Sequence, residues 1–103
     1  MNYFIDYEGR SVILDEEVKN IVFSKHPETL EFIDRIAITL RNPDIVKRSK
    51  TSKRVKLYYR FFIDILQGKY FVVVVKQVEQ YYISTFYITD KVKEGEILWQ
   101  RNE

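Results

Sequence analysis

The chain has 103 residues, of which 46% are hydrophobic and 31% charged, and its formal net charge is +2. This composition is typical of a globular protein, and the length predicts one domain spanning residues 1–103. The absence of cysteine excludes disulfides and cysteine nucleophiles, and a single histidine argues against a zinc or iron site, so we expect no metal and no cofactor. No apolar run is long enough to span a bilayer and the N-terminus lacks a signal-peptide pattern. Both observations predict a cytoplasmic protein without membrane contact.

The N-terminal third is predicted to contain a hairpin and a helix. Tyr3–Glu8 and Arg10–Leu14 have the pattern of two short strands around Gly9. Asp15 is a good N-cap, and the helix that it starts should end by about Lys25, because Pro27 disfavours helical backbone at the residue before it.

A second helix is predicted to begin at Pro27 and to end at Asn42-Pro43. Its apolar stripe is expected to pack against the core and consists of Leu30, Ile33, Ala37 and Leu40, with Ile36 beside it. The following residues, Asp44–Ser49, have the pattern of a short strand or an extended arm.

The second half of the chain changes to the two-residue period of strands. We predict three long strands, at Val55–Ile63, Tyr70–Lys76 and Tyr81–Thr89, joined by short turns. Ile97-Leu98-Trp99 either packs back on them or adds a last short strand. The predicted fold class is α+β, with N-terminal helices packed on one face of a twisted antiparallel sheet, a meander of these three strands plus short strands.

Positive charge is concentrated in residues 47–60, which contain seven Lys and Arg residues and no Asp or Glu. Such a run is typical of a segment that binds a polyanion, and equally of a solvated basic loop. Side-chain alternation predicts one open sheet face that carries cations, phenols and hydroxyls: Lys56, Tyr58, Arg60, Lys76, Thr85 and Tyr87. Such a face suits RNA, because cations hold phosphates and flat rings stack on bases, although it is also an ordinary surface for an exposed sheet.

His26, the only histidine, is the first residue to consider for chemistry, since imidazole exchanges protons near neutral pH; the simpler interpretation is a surface turn residue. RNA cleavage without metal needs a base, an acid and positive charge at the phosphorane. The candidate catalytic residues are His26 as base or acid, Lys76 or Arg60 for charge, and Thr85, Tyr58 or Tyr87 for a hydrogen bond or a proton shuttle. The candidate substrate-binding residues are Lys53, Arg54, Lys56, Tyr58 and Tyr87.

Six segments occur in an order that resembles a known superfamily: Lys25-His26-Pro27-Glu28, Leu40–Val46, Tyr58-Tyr59-Arg60, Tyr70–Lys76, Ile83–Asp90 and Gly95–Trp99. Over residues 11–99 the chain resembles small phage- and mobile-element-associated proteins of the barnase–EndoU–colicin–RelE-like nuclease superfamily. The resemblance implies helices on a four-stranded antiparallel sheet and a metal-independent ribonuclease of the toxin type. It also implies functional positions at His26, Arg60 or Tyr58, Lys76 and Thr85.

Three functional hypotheses remain open from the sequence. The first is a small ribonuclease that uses His26 and the basic, phenolic face. The second is a non-catalytic RNA- or DNA-binding module built on residues 47–60. The third is a protein-interaction domain, such as a toxin with an antitoxin or immunity partner bound at a sheet edge.

Overall fold

A computed structural model describes residues 2–102. The strands are β1 (Asn2–Ile5), β2 (Ser11–Leu14), β3 (Ile45–Arg48), β4 (Val55–Phe62), β5 (Lys69–Gln77), β6 (Tyr81–Thr89) and β7 (Glu96–Gln100). Between β2 and β3 lie α1 (Glu16–Lys25), a 3₁₀ helix (Pro27–Phe32) and α2 (Arg35–Arg41). None of the helices within residues 2–102 has both the length and the apolar character that crossing a membrane would require.

The predicted fold class is wrong. Strands account for 43% and helices for 23% of the described residues, so the sheet is the main element and the helices are short. All seven strands join one sheet in the order β1-β2-β6-β5-β4-β3-β7. The sheet is mixed, because β2 pairs in parallel with β6 while the other pairs are antiparallel. The four-stranded antiparallel sheet implied by the superfamily resemblance is not what the chain forms.

The first helix follows its sequence signals. The Asp15 carboxylate accepts a hydrogen bond from the Glu17 backbone N–H at 2.9 Å, and α1 ends at Lys25 as predicted. The His26 N–H then donates to the Val22 carbonyl, and the His26 carbonyl accepts from both the N–H and the hydroxyl of Thr29. These bonds fix the turn that carries the imidazole.

The predicted second helix is wrong in its continuity and in part of its buried stripe. The segment breaks into the 3₁₀ helix and α2, and its rotation places Leu30 at the surface, with 58% of its area exposed. Leu40 of the predicted stripe and Ile36 beside it are fully buried, together with Thr29 and Thr39, whereas Ala37 is exposed. A 3₁₀ turn has three residues per turn rather than 3.6, so a stripe laid out at α-helical spacing leaves the core side.

The sheet has two different faces. The helix face contacts α1 and α2 and holds the main core, which includes Val73 and Phe86. The open face is the opposite side and carries a smaller apolar cluster that includes Leu57, Tyr59, Val72 and Val74. The sheet edges curl toward each other on the helix side, where the Tyr7 ring after β1 lies 5.2 Å from the Trp99 ring of β7.

Candidate functional site

A groove of about 520 Å³ lies on the open face of the sheet. Its floor is formed by side chains of β4, β5 and β6: Val55, Leu57, Tyr59, Val74, Thr85 and Tyr87. Its rim is formed by β3, the turn that follows it and the loop before β7: Lys47, Ser49, Lys50, Thr51, Lys93 and Glu94. An apolar and phenolic floor is therefore bordered by three lysines, two hydroxyls and one carboxylate.

The rim is held together by contacts between its two loops. Lys47 Nζ donates to the Lys93 carbonyl at 2.9 Å, and Lys50 Nζ pairs with Glu94 Oε2 at 3.0 Å. Gly95 packs so closely on the Arg48 carbonyl that no Cβ would fit there. These contacts fix the position of Lys93, whose ammonium lies 5.5 Å from the centre of the Tyr87 ring.

Two phenols lie beneath the loop that carries Lys93. The Tyr59 hydroxyl accepts a hydrogen bond from the Lys93 N–H at 3.1 Å. The neighbouring Tyr87 hydroxyl is buried and has no hydrogen-bond partner among residues 2–102. Burial raises the pKa of both Tyr59 and Tyr87, so both phenols are neutral at physiological pH. They can donate or accept a hydrogen bond but do not supply a base.

His26 lies at the β6 border of the groove. β2 pairs with β6 only at Tyr81 and Tyr82, the first two residues of β6. The 3₁₀ helix also contacts β6. The His26 ring is 6.2 Å from the Tyr87 ring, and 40% of its side chain is exposed. Its Nδ1 is 3.6 Å from the Glu28 carboxylate. The imidazole is thus open to solvent beside the groove.

Three further cations lie at the end of the sheet where β4 begins and β5 ends. Lys53 and Arg54 are exposed in the turn before β4, and the Arg54 carbonyl accepts from the Gln77 N–H at 2.8 Å. Lys76 is exposed on β5, opposite Val55 of the groove floor. Within the described residues 2–102 none of these three cations forms an ion pair. This end of the sheet therefore has free positive charge.

The prediction that all the polar sheet residues share one face is wrong. Lys76, Thr85 and Tyr87 do lie on the open face. Lys56, Tyr58 and Arg60 lie on the helix face, because β4 turns Leu57 and Tyr59 toward the groove instead. The reason is that each of the three polar side chains has a partner on the helix side, which makes its inward orientation stable.

Those partners are specific. The Tyr58 ring is fully buried, and its hydroxyl donates to Asp6 Oδ2 at 2.8 Å. Arg60 donates to the Asn42 carbonyl at 2.5 Å. The ammonium of Lys56 lies 5.5 Å from the Tyr81 ring, and burial, with the nearby Arg10 guanidinium, lowers its pKa. Arg60, Lys56 and Tyr58 therefore do not reach a ligand in the groove.

Sequence reasoning missed several residues of the groove. Lys47 and Lys50 were available as members of the basic run, and residue alternation places Tyr59 beside Leu57 on the apolar side of β4. Lys93 had no signal, because nothing in a polar turn shows that it folds back over the sheet. The buried carboxylate of Asp6 was also missed, because one of its donors, the Tyr58 hydroxyl, comes from a segment far away in the chain.

The arrangement allows binding more readily than multi-residue catalysis. The half-buried Tyr87 ring and the aliphatic side chains of the floor can contact a base, while the rim lysines can contact phosphates. His26, the only histidine of the chain, lies beside the groove and is the candidate for proton transfer there. Within residues 2–102 there is no group of three or more His, Asp or Glu residues suited to hold a metal ion.

Comparisons of the chain with models of protein families, with curated proteins and with solved structures give no match.

Proposed function

We propose that this protein binds RNA through the open face of its sheet. The observation that carries the proposal is the groove itself, whose floor of aliphatic side chains and the half-buried Tyr87 ring is bordered by Lys47, Lys50 and Lys93. The uncharged floor suits a nucleobase and the ammonium groups suit its phosphates. A cytoplasmic location is part of the same proposal, because an RNA-binding protein has to be where its RNA is.

The free cations outside the groove support this interpretation. Lys53, Arg54 and Lys76 extend the positive border from the rim to the end of the sheet. Long-range attraction between such a border and a phosphate chain accelerates association and makes binding depend on salt concentration.

Fluorescence anisotropy with a labelled single-stranded RNA tests the proposal. Each phosphate contact contributes about 0.7 to the slope of log K against log salt for single strands. Replacing Lys50 and Lys93 together by glutamine should therefore weaken binding and reduce the magnitude of the slope by about 1.4. The matched control is Lys19→Gln, which removes a lysine from α1 outside the groove. Absence of RNA binding by the native protein, or an unchanged slope in the double variant, would refute the proposal.

Ribonuclease activity is a second candidate function, and the position of His26 favours it. Its exposed imidazole lies next to Tyr87 at the groove border and can exchange a proton with a bound ribose or phosphate. Thr85 in the floor and the rim lysines then supply a hydrogen bond and positive charge. Arg60 has no part in this version, because its guanidinium is engaged on the helix face.

The test is cleavage of total RNA and tRNA in EDTA by the native protein and by His26→Gln. We expect the variant to lose cleavage while it keeps RNA affinity, because a neutral amide cannot transfer the proton. Equal cleavage by the two proteins would exclude His26 as the catalytic group. Binding without any cleavage would leave RNA binding as the function. A toxin-type role would further require a protein partner that suppresses cleavage.

A further inference from the structure

Two exposed tyrosines continue the open face beyond the groove. In the strand register Tyr3 of β1 is opposite Ile13 of β2, and Ile13 is opposite Tyr82 of β6. Tyr82 is in turn opposite Lys76 of β5. Side chains opposite each other in a sheet point to the same face, so this row of four residues crosses the sheet on the side of the groove.

The tyrosines of this row differ from those of the core. Tyr3 is 64% exposed and Tyr82 is 39% exposed, whereas Tyr58 and Tyr59 are fully buried. Lys76, which forms no ion pair within residues 2–102, lies beside Tyr82 in the row. Aromatic rings exposed next to an unpaired cation have the composition of a surface on which single-stranded nucleic acid stacks.

The row also continues the groove in space. Val55 of the groove floor is opposite Lys76, so the groove and the row meet at β4 and β5. From β4 the path crosses β5, β6 and β2 to reach β1. Four strand spacings of about 4.8 Å make this distance about 19 Å, which exceeds the extent of one base and requires several linked nucleotides.

We propose, building on RNA binding as the function, that the ligand is single-stranded RNA running from the groove across β5, β6 and β2 to β1. Tyr82 and Tyr3 stack on successive unpaired bases, and Lys76 contacts a phosphate between them and the groove. A duplex does not fit this path, because its bases are stacked on each other and do not present their faces to side chains.

The experiment compares four probes by fluorescence anisotropy: a single-stranded RNA, the same RNA annealed to its complement, the same sequence as single-stranded DNA, and an RNA trinucleotide. We expect the single-stranded RNA to bind at least about tenfold more tightly than the duplex, in line with the loss of stacking on two rings. The trinucleotide should bind more weakly than the longer strand, because it does not fill both the groove and the row. The DNA strand shows whether the 2′-hydroxyl adds to affinity.

The variants Tyr82→Ala and Tyr3→Ala should each weaken binding of the single strand by about tenfold, whereas Tyr82→Phe should keep it because the ring is retained. The control is Ile21→Ala, which shortens a half-exposed apolar residue on α1, away from the open face. Thermal unfolding of each variant separates loss of contact from loss of fold.

The outcomes distinguish the two proposals. One outcome would refute the stacking path and leave the groove alone as the binding site. In that outcome the native protein binds RNA and the variant with Lys50 and Lys93 replaced binds it more weakly. The tyrosine variants, however, bind the single strand as tightly as the native protein does, and the native protein binds the duplex as tightly as the single strand. If the native protein binds none of the probes, both proposals fail. Loss of affinity in Tyr82→Ala that Tyr82→Phe does not share supports the stacking path.

Discussion

Replacing Asp6 by asparagine should destabilise the fold, because this carboxylate joins the turn between β1 and β2 to β4. Its side chain is fully buried and accepts hydrogen bonds from the backbone N–H groups of Glu8 and Arg10, from Arg10 Nε and from the Tyr58 hydroxyl. An amide has one acceptor oxygen in place of two and directs an NH₂ group at existing donors. It also removes the counter-ion of Arg10.

The magnitude follows from the burial of the two partners. Breaking a fully buried ion pair costs about 3–5 kcal/mol. Because a quarter of the Arg10 side chain remains exposed to water, which solvates the guanidinium after the change, we expect about 2–4 kcal/mol for Asp6→Asn. For a domain of this size that corresponds to a fall in Tm of roughly 8–20 °C.

The same residue gives the stability a defined pH dependence. Burial by itself raises the pKa of Asp6, but the hydrogen bonds from Arg10 and Tyr58 outweigh burial and hold the pKa below its ordinary value. A carboxyl whose pKa is lowered by folding stabilises the protein at pH values above its unfolded pKa of about 3.9. This contribution is lost as the pH falls through the folded pKa. The difference between the native protein and Asp6→Asn should therefore be constant near neutrality and should shrink below about pH 4.

Urea denaturation followed by circular dichroism, at several pH values, measures this prediction. Tyr58→Phe is the partial variant, since it removes one of the hydrogen bonds to the carboxylate and keeps the charge, and it should lose less stability. Asp64→Asn is the matched surface control, because Asp64 pairs with Arg35 in an exposed position, and it should leave the midpoint unchanged. Equal midpoints for Asp6→Asn and the native protein at pH 7 would show that the network does not stabilise the fold.

Three further predictions concern the groove and the sheet. Gly95→Ala should cost about 1–3 kcal/mol in urea denaturation, because the added methyl collides with the Arg48 carbonyl; a midpoint equal to that of the native protein would contradict this packing. Tyr87→Phe should leave the free energy of unfolding unchanged or raise it, since the hydroxyl lost is buried and unpaired, whereas Tyr59→Phe should cost about 1 kcal/mol. A larger loss for Tyr87→Phe than for Tyr59→Phe would reverse the assignment of the hydrogen bond. Lys56→Met should keep or increase stability at pH 7, because its aliphatic stem is retained and a cation that burial disfavours is removed; thermal unfolding that shows a loss would disprove it.

Local features of the fold could be predicted from the sequence because they depend on neighbouring residues. The N-cap Asp15 and the end of α1 at Lys25 follow from side-chain and proline chemistry within a few positions. The three long strands lie close to their predicted bounds because alternation and turn residues define each of them. The sequence did not contain a local signal for the partner of β2, since parallel pairing with β6 depends on residues far away in the chain.

The candidate site was predictable only in part, for a related reason. Alternation groups residues of one strand by face but does not say which face becomes buried. The polar side of β4 was assigned to solvent, yet Tyr58 turns inward because Asp6, distant in sequence, accepts its hydroxyl. Thr85 and Tyr87 were placed correctly on the open face, and His26 lies beside Tyr87. Their roles in binding or cleavage stay predictions.

The parallel pairing of β2 with β6 has a consequence for how the chain folds. Val12 is opposite Tyr81, so the two partners are 69 positions apart in the sequence, whereas β4, β5 and β6 are joined by short turns. Bringing such distant segments together costs chain entropy before any contact compensates for it. We therefore expect the hairpin of β1 and β2, although it is nearer the N-terminus, to dock after the central strands have formed. Until it docks, the β6 edge that will receive it is an unprotected template, and this interval is when two nascent chains can exchange their N-terminal hairpins.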